Sequence, residues 1–241
     1  MDVLALRTPT VPPATHTNCY RLGSVLIDPG SPWEEEHAVA VPWADGVDRI
    51  VLTHHHPDHI GGVAALSAAL GAEVWAHCDA RVPFPVHRRL EDDEEIDTGA
   101  GLLRCVWTPG HADGHLAFQR VGTSDIVVGD MLAGVGTIVL APPEGHLGTY
   151  LASLARLRAL GPSRLLPAHG PPLEDSYAAI DAYVAHRHAR TAQVRAALGR
   201  GARTPEEVAA RVYAGVPGVD VRLATAQAHA HIIWLEEHEP S

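Results

Sequence analysis

The stretch Val51-Leu52-Thr53-His54-His55-His56-Pro57-Asp58-His59-Ile60-Gly61-Gly62 constrains this chain more than any other. The apolar run Ile50 to Leu52 reads as a buried strand. It ends in a crowd of imidazoles, one carboxylate and a glycine pair, and Gly61-Gly62 open an Ala/Leu-rich helix to about Leu70. A strand-to-helix turn of this kind lies at the end of an α/β sheet, where ligands bind. His54 and His56 are two residues apart, so on an extended segment they share a side and can reach one metal ion. Asp58 and His59 follow on the turn and can point to a second ion beside the first. Imidazole and carboxylate ligands suit zinc, with iron and manganese as alternatives. Buried together without a cation, these groups would carry a large desolvation cost.

Three later stretches end the same way: Thr108-Pro109-Gly110-His111, Val128-Gly129-Asp130 and Leu166-Pro167-Ala168-His169-Gly170. With 17 histidines in the chain, any single one carries little weight. The order H-x-H-x-D-H, then His111, Asp130 and His169, resembles the metallo-β-lactamase superfamily. Thr17-Asn18-Cys19-Tyr20 and Asp28-Pro29-Gly30 fit the same pattern, so the match runs from about Thr17 to Gly170. The resemblance implies an α/β fold, the αβ/βα four-layer sandwich. It implies two divalent ions, one held by His54, His56 and His111, the other by Asp58, His59 and His169, with Asp130 between them. It skips His55. The activity implied is that of a dinuclear metal-dependent hydrolase with Asp58 and Asp130 as its catalytic carboxylates. A metal-bridging hydroxide would attack an ester, thioester, lactone or phosphodiester.

Composition narrows the partners. The chain has 241 residues and is 46% apolar, enough for one large domain with a small appendage. All 18 basic residues are arginine and the net charge is −11, which disfavours DNA and sequence-independent nucleic-acid binding. No basic start with a long apolar run follows Met1, and no stretch approaches the length of a membrane span. The three cysteines, Cys19, Cys78 and Cys105, are odd in number and form no C-x-x-C, which reads as a reducing cytoplasm. Cys78 reads as a small semi-buried residue.

Asp2 to Leu6 reads as an edge strand, and Thr17 to Leu22 with Ser24 to Ile27 as a hairpin. Asp28 either orients a ligand histidine or serves its own turn. Ser31 to Asp45 is partly helical, with Trp33 and Trp43 expected in the core. Glu73 to His77 is a strand, and His77 is a satisfied histidine for which no ligand position remains. Arg81 to Asp97 is a polar insertion whose acidic block, Glu91 to Glu95, reads as solvated loop. Strands over Gly101–Thr108, His115–Gln119, Ile126–Val128 and Arg164–Leu166 deliver the later ligands, and His115 reads as their support. Gly134 to Pro143 is placed near the pocket. His146 to Leu160 is a helix, and His146 and Tyr150 are expected to touch substrate or protonate the leaving group.

After Gly170 the pattern turns helical, dividing the chain into 1–171 and 172–241. Ser176 to Leu198 is a helix with a serine cap. Thr204-Pro205-Glu206-Glu207 starts a second, to about Tyr213, and Val219 to Glu237 is a third. Ala141-Pro142-Pro143-Glu144-Gly145, Tyr150-Leu151-Ala152-Ser153-Leu154 and Tyr183-Val184-Ala185-His186-Arg187 resemble the β-lactamase-like protein 2 branch, which carries a winged-helix-like tail. Here the sequence ends at Pro240-Ser241, with no hairpin for the wing. Eukaryotic members of the branch are similar to endoribonucleases acting on single-stranded RNA, which makes RNA the alternative substrate to a small ester or thioester. Arg187, Arg190 and Arg195 either hold a substrate phosphate or carboxylate, or form a solvated face paired with Asp181 and Glu174. A diiron redox role is the remaining reading. Relatives of that kind carry a flavin partner and, in some, a carboxylate where His56 stands. The apolar helical tail also suits a homodimer.

Overall fold

The computed structural model describes residues 1–216 and 218–238. The first sheet opens with β1 (Asp2–Arg7), β2 (His16–Leu22) and β3 (Val25–Ile27), paired antiparallel. Helix α1 (Glu34–Trp43) leads to β4 (Arg49–Val51), and the short α2 (Pro57–Ile60) and α3 (Val63–Leu70) lead to β5 (Glu73–His77). Strand β6 (Arg88–Leu90) closes the order β1-β2-β3-β4-β5-β6, with β3 to β6 parallel. The second sheet takes β7 (Glu95–Asp97), β8 (Leu102–Trp107), β9 (Leu116–Arg120), β10 (Asp125–Gly129) and, after helix α4 (Leu147–Ala159), β11 (Arg164–Pro167). Its order is β11-β10-β9-β8-β7, antiparallel except for the β10–β11 pair.

Two-residue alternation builds the layers. Val25, Ile27 and Val51 of the first sheet meet Leu103, Cys105 and Phe118 of the second in one buried cluster. The residues between them point the other way: Leu26 and Ile50 pack on Ala40 of α1 and on Val63 and Leu66 of α3. Val106, Ile126 and Val128 pack on Leu147, Tyr150, Leu154 and Leu157 of α4. Helix, sheet, sheet and helix form the expected four layers.

Three helices follow: α5 (Ser176–Gly199), α6 (Pro205–Val212) and α7 (Val221–His238). They share an apolar cluster that includes Val194, Val208, Ala228 and Leu235. Ile180 of α5 and Ala230 of α7 join the α4 cluster over the second sheet. Among the described residues no strand element follows β11, while Pro240 and Ser241 lie outside them. Among the described residues no helix is long and apolar enough to cross a membrane.

Several expectations need correction. Glu91–Glu94 is the largely exposed loop expected, but Glu95 already opens β7, and the block forms the corner that carries the chain from the first sheet to the second. Arg88 pairs with Glu94, Arg104 Nη2 with Glu95 Oε1 at 3.1 Å, and Arg156 Nη1 with Asp92 Oδ2 at 2.8 Å. Arg88 and Arg104 come from the strands on either side, and Arg156 from α4. Trp33 is exposed with the Arg7 guanidinium over its ring, because α1 turns only its Ala40 side inward; Trp43 packs against the first-sheet cluster as expected. Asp175, not Ser176, caps α5, its Oδ1 accepting from the Ala178 N–H at 3.0 Å; the Ser176 hydroxyl donates to the Pro162 carbonyl instead. Cys78 is exposed, since it follows the last residue of β5 on the turn.

Candidate metal centre

The site lies where strand ends of both sheets meet. Asp28 anchors it from beyond β3. Its Oδ1 accepts from the Thr53 N–H at 2.8 Å, and its Oδ2 accepts from the Thr53 hydroxyl at 2.5 Å and from His59 Nδ1 at 2.8 Å. Asp28 itself sits at φ 52°, a left-handed turn conformation that aspartate tolerates. Both roles considered for Asp28 are therefore real. The turn presses so closely on the motif that a Cβ on Gly30 would lie 1.8 Å from the Asp58 carbonyl oxygen, and one on Gly62 2.5 Å from that of Pro29. Only glycine fits there.

The hydrogen bonds decide which ring nitrogen faces inward. The Thr53 hydroxyl gives its proton to Asp28, so it accepts from His54 Nδ1 at 3.0 Å. His111 Nδ1 donates to the Val139 carbonyl at 2.9 Å, and His169 Nδ1 to the His16 carbonyl at 3.0 Å. His59 Nδ1 donates to Asp28. An imidazole that donates from Nδ1 leaves an Nε2 lone pair, the form that binds a metal. Four rings thus turn their Nε2 atoms inward, with a lone pair there whenever the ring is neutral.

Those atoms converge as two groups. His54 Nε2 and His111 Nε2 each lie 3.0 Å from His56 Nδ1. On the other side His169 Nε2 lies 3.4 Å from Asp58 Oδ2. Asp130 stands between, with Oδ2 3.5 Å from His111 Nε2 and Oδ1 3.5 Å from His59 Nε2 and 3.3 Å from His169 Nε2. Within His54/His56/His111, within Asp58/His59/His169 and within His54/His59/Asp130, the ligand atoms lie within 4.8 Å of one another. His59 Nε2 and Asp130 Oδ1 are buried with no hydrogen-bond partner. Facing each other 3.5 Å apart, the two buried atoms need positive charge between them, supplied by a metal ion or, without one, by a proton on His59. The donor set fits a pair of divalent ions.

Electrostatics separate the two halves. Burial, with the neighbouring rings, lowers His54 well below the usual histidine range and His56 to about 3. Burial also opposes charge on the other half, but carboxylates prevail there: Asp130 and Asp58 lift His169 to about 9. Burial likewise resists ionisation of Asp130 and Asp58, yet the facing histidines hold Asp130 far below the carboxylate range and Asp58 at about 2.

Outer residues hold this arrangement. His115 Nε2 accepts from the Asp130 N–H at 3.2 Å, and its Nδ1 meets the Thr108 hydroxyl at 2.8 Å, the support expected of it. Asn18 and Tyr20 of β2 tie down the His169 loop through the Pro167 carbonyl, at 2.9 and 2.8 Å. His77 stacks on Trp107 and stands apart from the centre.

The centre forms part of the floor of a cavity of about 1390 Å³, walled by the 9–14 loop, the 133–144 loop and the faces of α5 and α7. His146 does not line it. This ring caps α4, accepting from the Thr149 N–H, and its Nε2 lies 3.1 Å from Glu237. Tyr150 is fully buried and donates to the Met131 carbonyl at 2.6 Å. Both side chains serve the fold. Arg187 lines the cavity but is neither solvated nor paired with an acid: it is 1% exposed, and Asp181 and Glu174 pair with Arg158 and Arg164. Glu144 is the wall residue that sequence reasoning passed over. It reaches His55 Nε2 at 3.2 Å and Arg81 at 3.5 Å, and its place in the Pro142-Pro143-Glu144-Gly145 stretch was the available signal.

Residues 12–169 match the profile of the metallo-β-lactamase superfamily, a span holding all seven converging side chains. The chain belongs to that superfamily. It is 30% identical over 237 residues to lactamase-like protein vrtG of Penicillium aethiopicum, covering 90% of this chain and 75% of the relative. It is 28% identical over 231 residues to the β-lactamase-like protein 2 homolog of Caenorhabditis elegans, covering 86% and 74%. A metallo-β-lactamase family protein from Thermus thermophilus superposes with a TM-score of 0.85 at 24% identity, over 98% of this chain and 93% of that one. That likeness includes the C-terminal helices α5 to α7.

Proposed function

We propose that this chain is a dinuclear metal-dependent hydrolase of esters, thioesters or lactones. The observation that carries the reading is Asp130, which turns one carboxylate oxygen toward each ligand group. In this reading His54, His56 and His111 hold one ion, Asp58, His59 and His169 the other, and Asp130 both. Zinc suits the ligand set best. When bound, such a pair lowers the pKa of water toward ~7 and polarises the substrate oxygen. The protein's own part is orientation: Asp28, Val139 and His16 fix the ring tautomers, and β4 and β10 fix the ligands on rigid strand ends. Asp58 lies on the cavity floor. Burial opposes its ionisation, but His169 and His59 hold its pKa at about 2, so it would stay a carboxylate through turnover and balance the charge of the second ion.

The cavity favours a small acyl substrate over RNA. Its walls include Val11, Pro12, Val135, Val219 and Leu223, and the chain carries −11 overall. Three arginines also line the cavity: Arg187 is buried on the Ile138 carbonyl, Arg190 lies on α5, and the exposed Arg81 is paired with Asp113 and Glu144 rather than left free for a phosphate backbone. The test compares turnover of an aryl ester, an aryl thioester, bis-nitrophenyl phosphate and a single-stranded RNA oligonucleotide by zinc-loaded protein. Turnover of the acyl substrates is expected to exceed that of both phosphodiesters. Cleavage of the oligonucleotide in preference to the esters would transfer the assignment to RNA. No turnover of any of them with two ions bound would remove the hydrolase reading.

A further inference from the structure

The loop between β10 and α4 holds a backbone group that the metal centre depends on. The Val139 carbonyl accepts from His111 Nδ1 at 2.9 Å and so turns His111 Nε2 inward. The peptide groups on either side of Val139 are held by the C-terminal helices. The Ile138 carbonyl accepts from Arg187 Nη2 of α5 at 2.6 Å and from Gln227 Nε2 of α7 at 2.9 Å. The Leu140 N–H donates to Gln227 Oε1 at 3.1 Å, and Arg187 Nη1 approaches the same oxygen at 3.5 Å. Ile138, Leu140, Arg187 and Gln227 are all buried.

Arg187 is an unusual choice for a packing residue. A buried guanidinium without a carboxylate is expensive, and no ion pair among the described residues includes Arg187. Its compensation is the Tyr150 ring, 4.9 Å away, and the Ile138 carbonyl. Arginine and glutamine together supply the donors and acceptor that fix a three-residue turn which is neither helix nor strand.

We propose that Arg187 and Gln227 are positioning residues for the metal centre. They clamp residues 138–140 so that the Val139 carbonyl sets the tautomer and direction of His111. Helices that supply no ligand thereby set the affinity of the first ion. This rests on the reading of His111 as a ligand.

Equilibrium zinc competition against a chromophoric chelator tests it, alongside thermal melting of the metal-free protein. Gln227→Leu removes the acceptor for Leu140 and one donor to Ile138. It is expected to weaken one of the two zinc ions by roughly tenfold, at the low end for lost outer partners of a ligand, and to leave the other unchanged. Thr191→Val breaks the Thr191–His231 hydrogen bond between the same helices, 2.8 Å long, and the hydroxyl's bond to the Arg187 backbone carbonyl, 3.0 Å long, while leaving the Arg187 and Gln227 side chains on the loop. It is expected to lower the metal-free melting temperature and leave both affinities alone. Arg187→Lys, which keeps the charge but loses the fork, is expected to reproduce the selective loss even if Gln227→Leu does not fold. Parent-like affinities in Arg187→Lys, or an equal loss in Thr191→Val, overturn the proposal. A parent protein that cannot bind two ions would instead overturn the ligand assignment beneath it.

Discussion

Replacing Asp28 by asparagine isolates one charge at the root of the site. Asparagine is nearly isosteric and tolerates the left-handed turn at φ 52°, so the backbone has no reason to move. With its oxygen kept on the Thr53 N–H, 2.8 Å away, the new amide nitrogen stands where Oδ2 met the Thr53 hydroxyl and His59 Nδ1. That nitrogen can only donate, so His59 must accept at Nδ1 and carry its proton on Nε2. The lone pair facing Asp130 is then gone. One ligand of the second ion is masked directly, and the Thr53 hydroxyl, which can no longer give its proton to residue 28, is free to donate to His54 Nδ1, so the first group loses the contact that fixed its His54 tautomer. Loss of an outer partner of a ligand costs 10–100-fold in affinity, or roughly 1.4–2.7 kcal/mol. Zinc competition should show the second ion weakened by that factor and the first weakened as well, through Thr53 and His54. Two ions bound with parent affinities would refute the tautomer argument on which the site's description depends.

Other predictions follow from the same geometry. His56→Ala and Asp130→Ala should lower metal content and melting temperature together, whereas His55→Ala should retain both ions; the readouts are elemental analysis and thermal melting. Leu154→Ala, at a fully buried position between α4 and the second sheet, should lose about 2–5 kcal/mol in denaturant unfolding without altering metal stoichiometry. Burial, with Arg187 and Arg190 nearby, pushes His231 down to about 3. Between about pH 6.5, where an unfolded histidine titrates, and pH 3, the unfolded chain binds a proton that the folded chain refuses, so stability falls with pH by about 1.4 kcal/mol per unit. His231→Gln should remove that portion of the slope, and equal slopes for parent and variant in urea unfolding between pH 7 and 5.5 would contradict it.

Three of the converging side chains were legible because they follow strand runs, Val51 before His54, Val128 before Asp130 and Leu166 before His169, while Asp58, His59 and His111 were legible from the motif order alone. A strand end fixes direction, and two sheets packed face to face bring such ends together. The supports were legible only in part. Asp28 and His115 could be picked out beside turns and ligands, but the Val139 carbonyl could not, because every residue has one. Arg187 illustrates the same limit. Helical spacing places it beside Arg190 and says nothing of the loop that covers it. The exposed corner at Glu91–Glu95 was legible as a charge block, but its pairing with Arg88, Arg104 and Arg156 was not, since those arginines lie in other elements. His146 and Tyr150 sit next to the right loop in sequence, yet one caps a helix and the other points beneath the second sheet.

The most direct measurement is the metal content of protein purified without added metal, then equilibrated with zinc and freed of excess. The convergence of His54, His56, His111, Asp58, His59, His169 and Asp130 predicts two ions per chain, falling below two in Asp130→Ala. A chain that stays at one ion or none, or an Asp130→Ala variant that keeps two, would contradict the paired-ion centre.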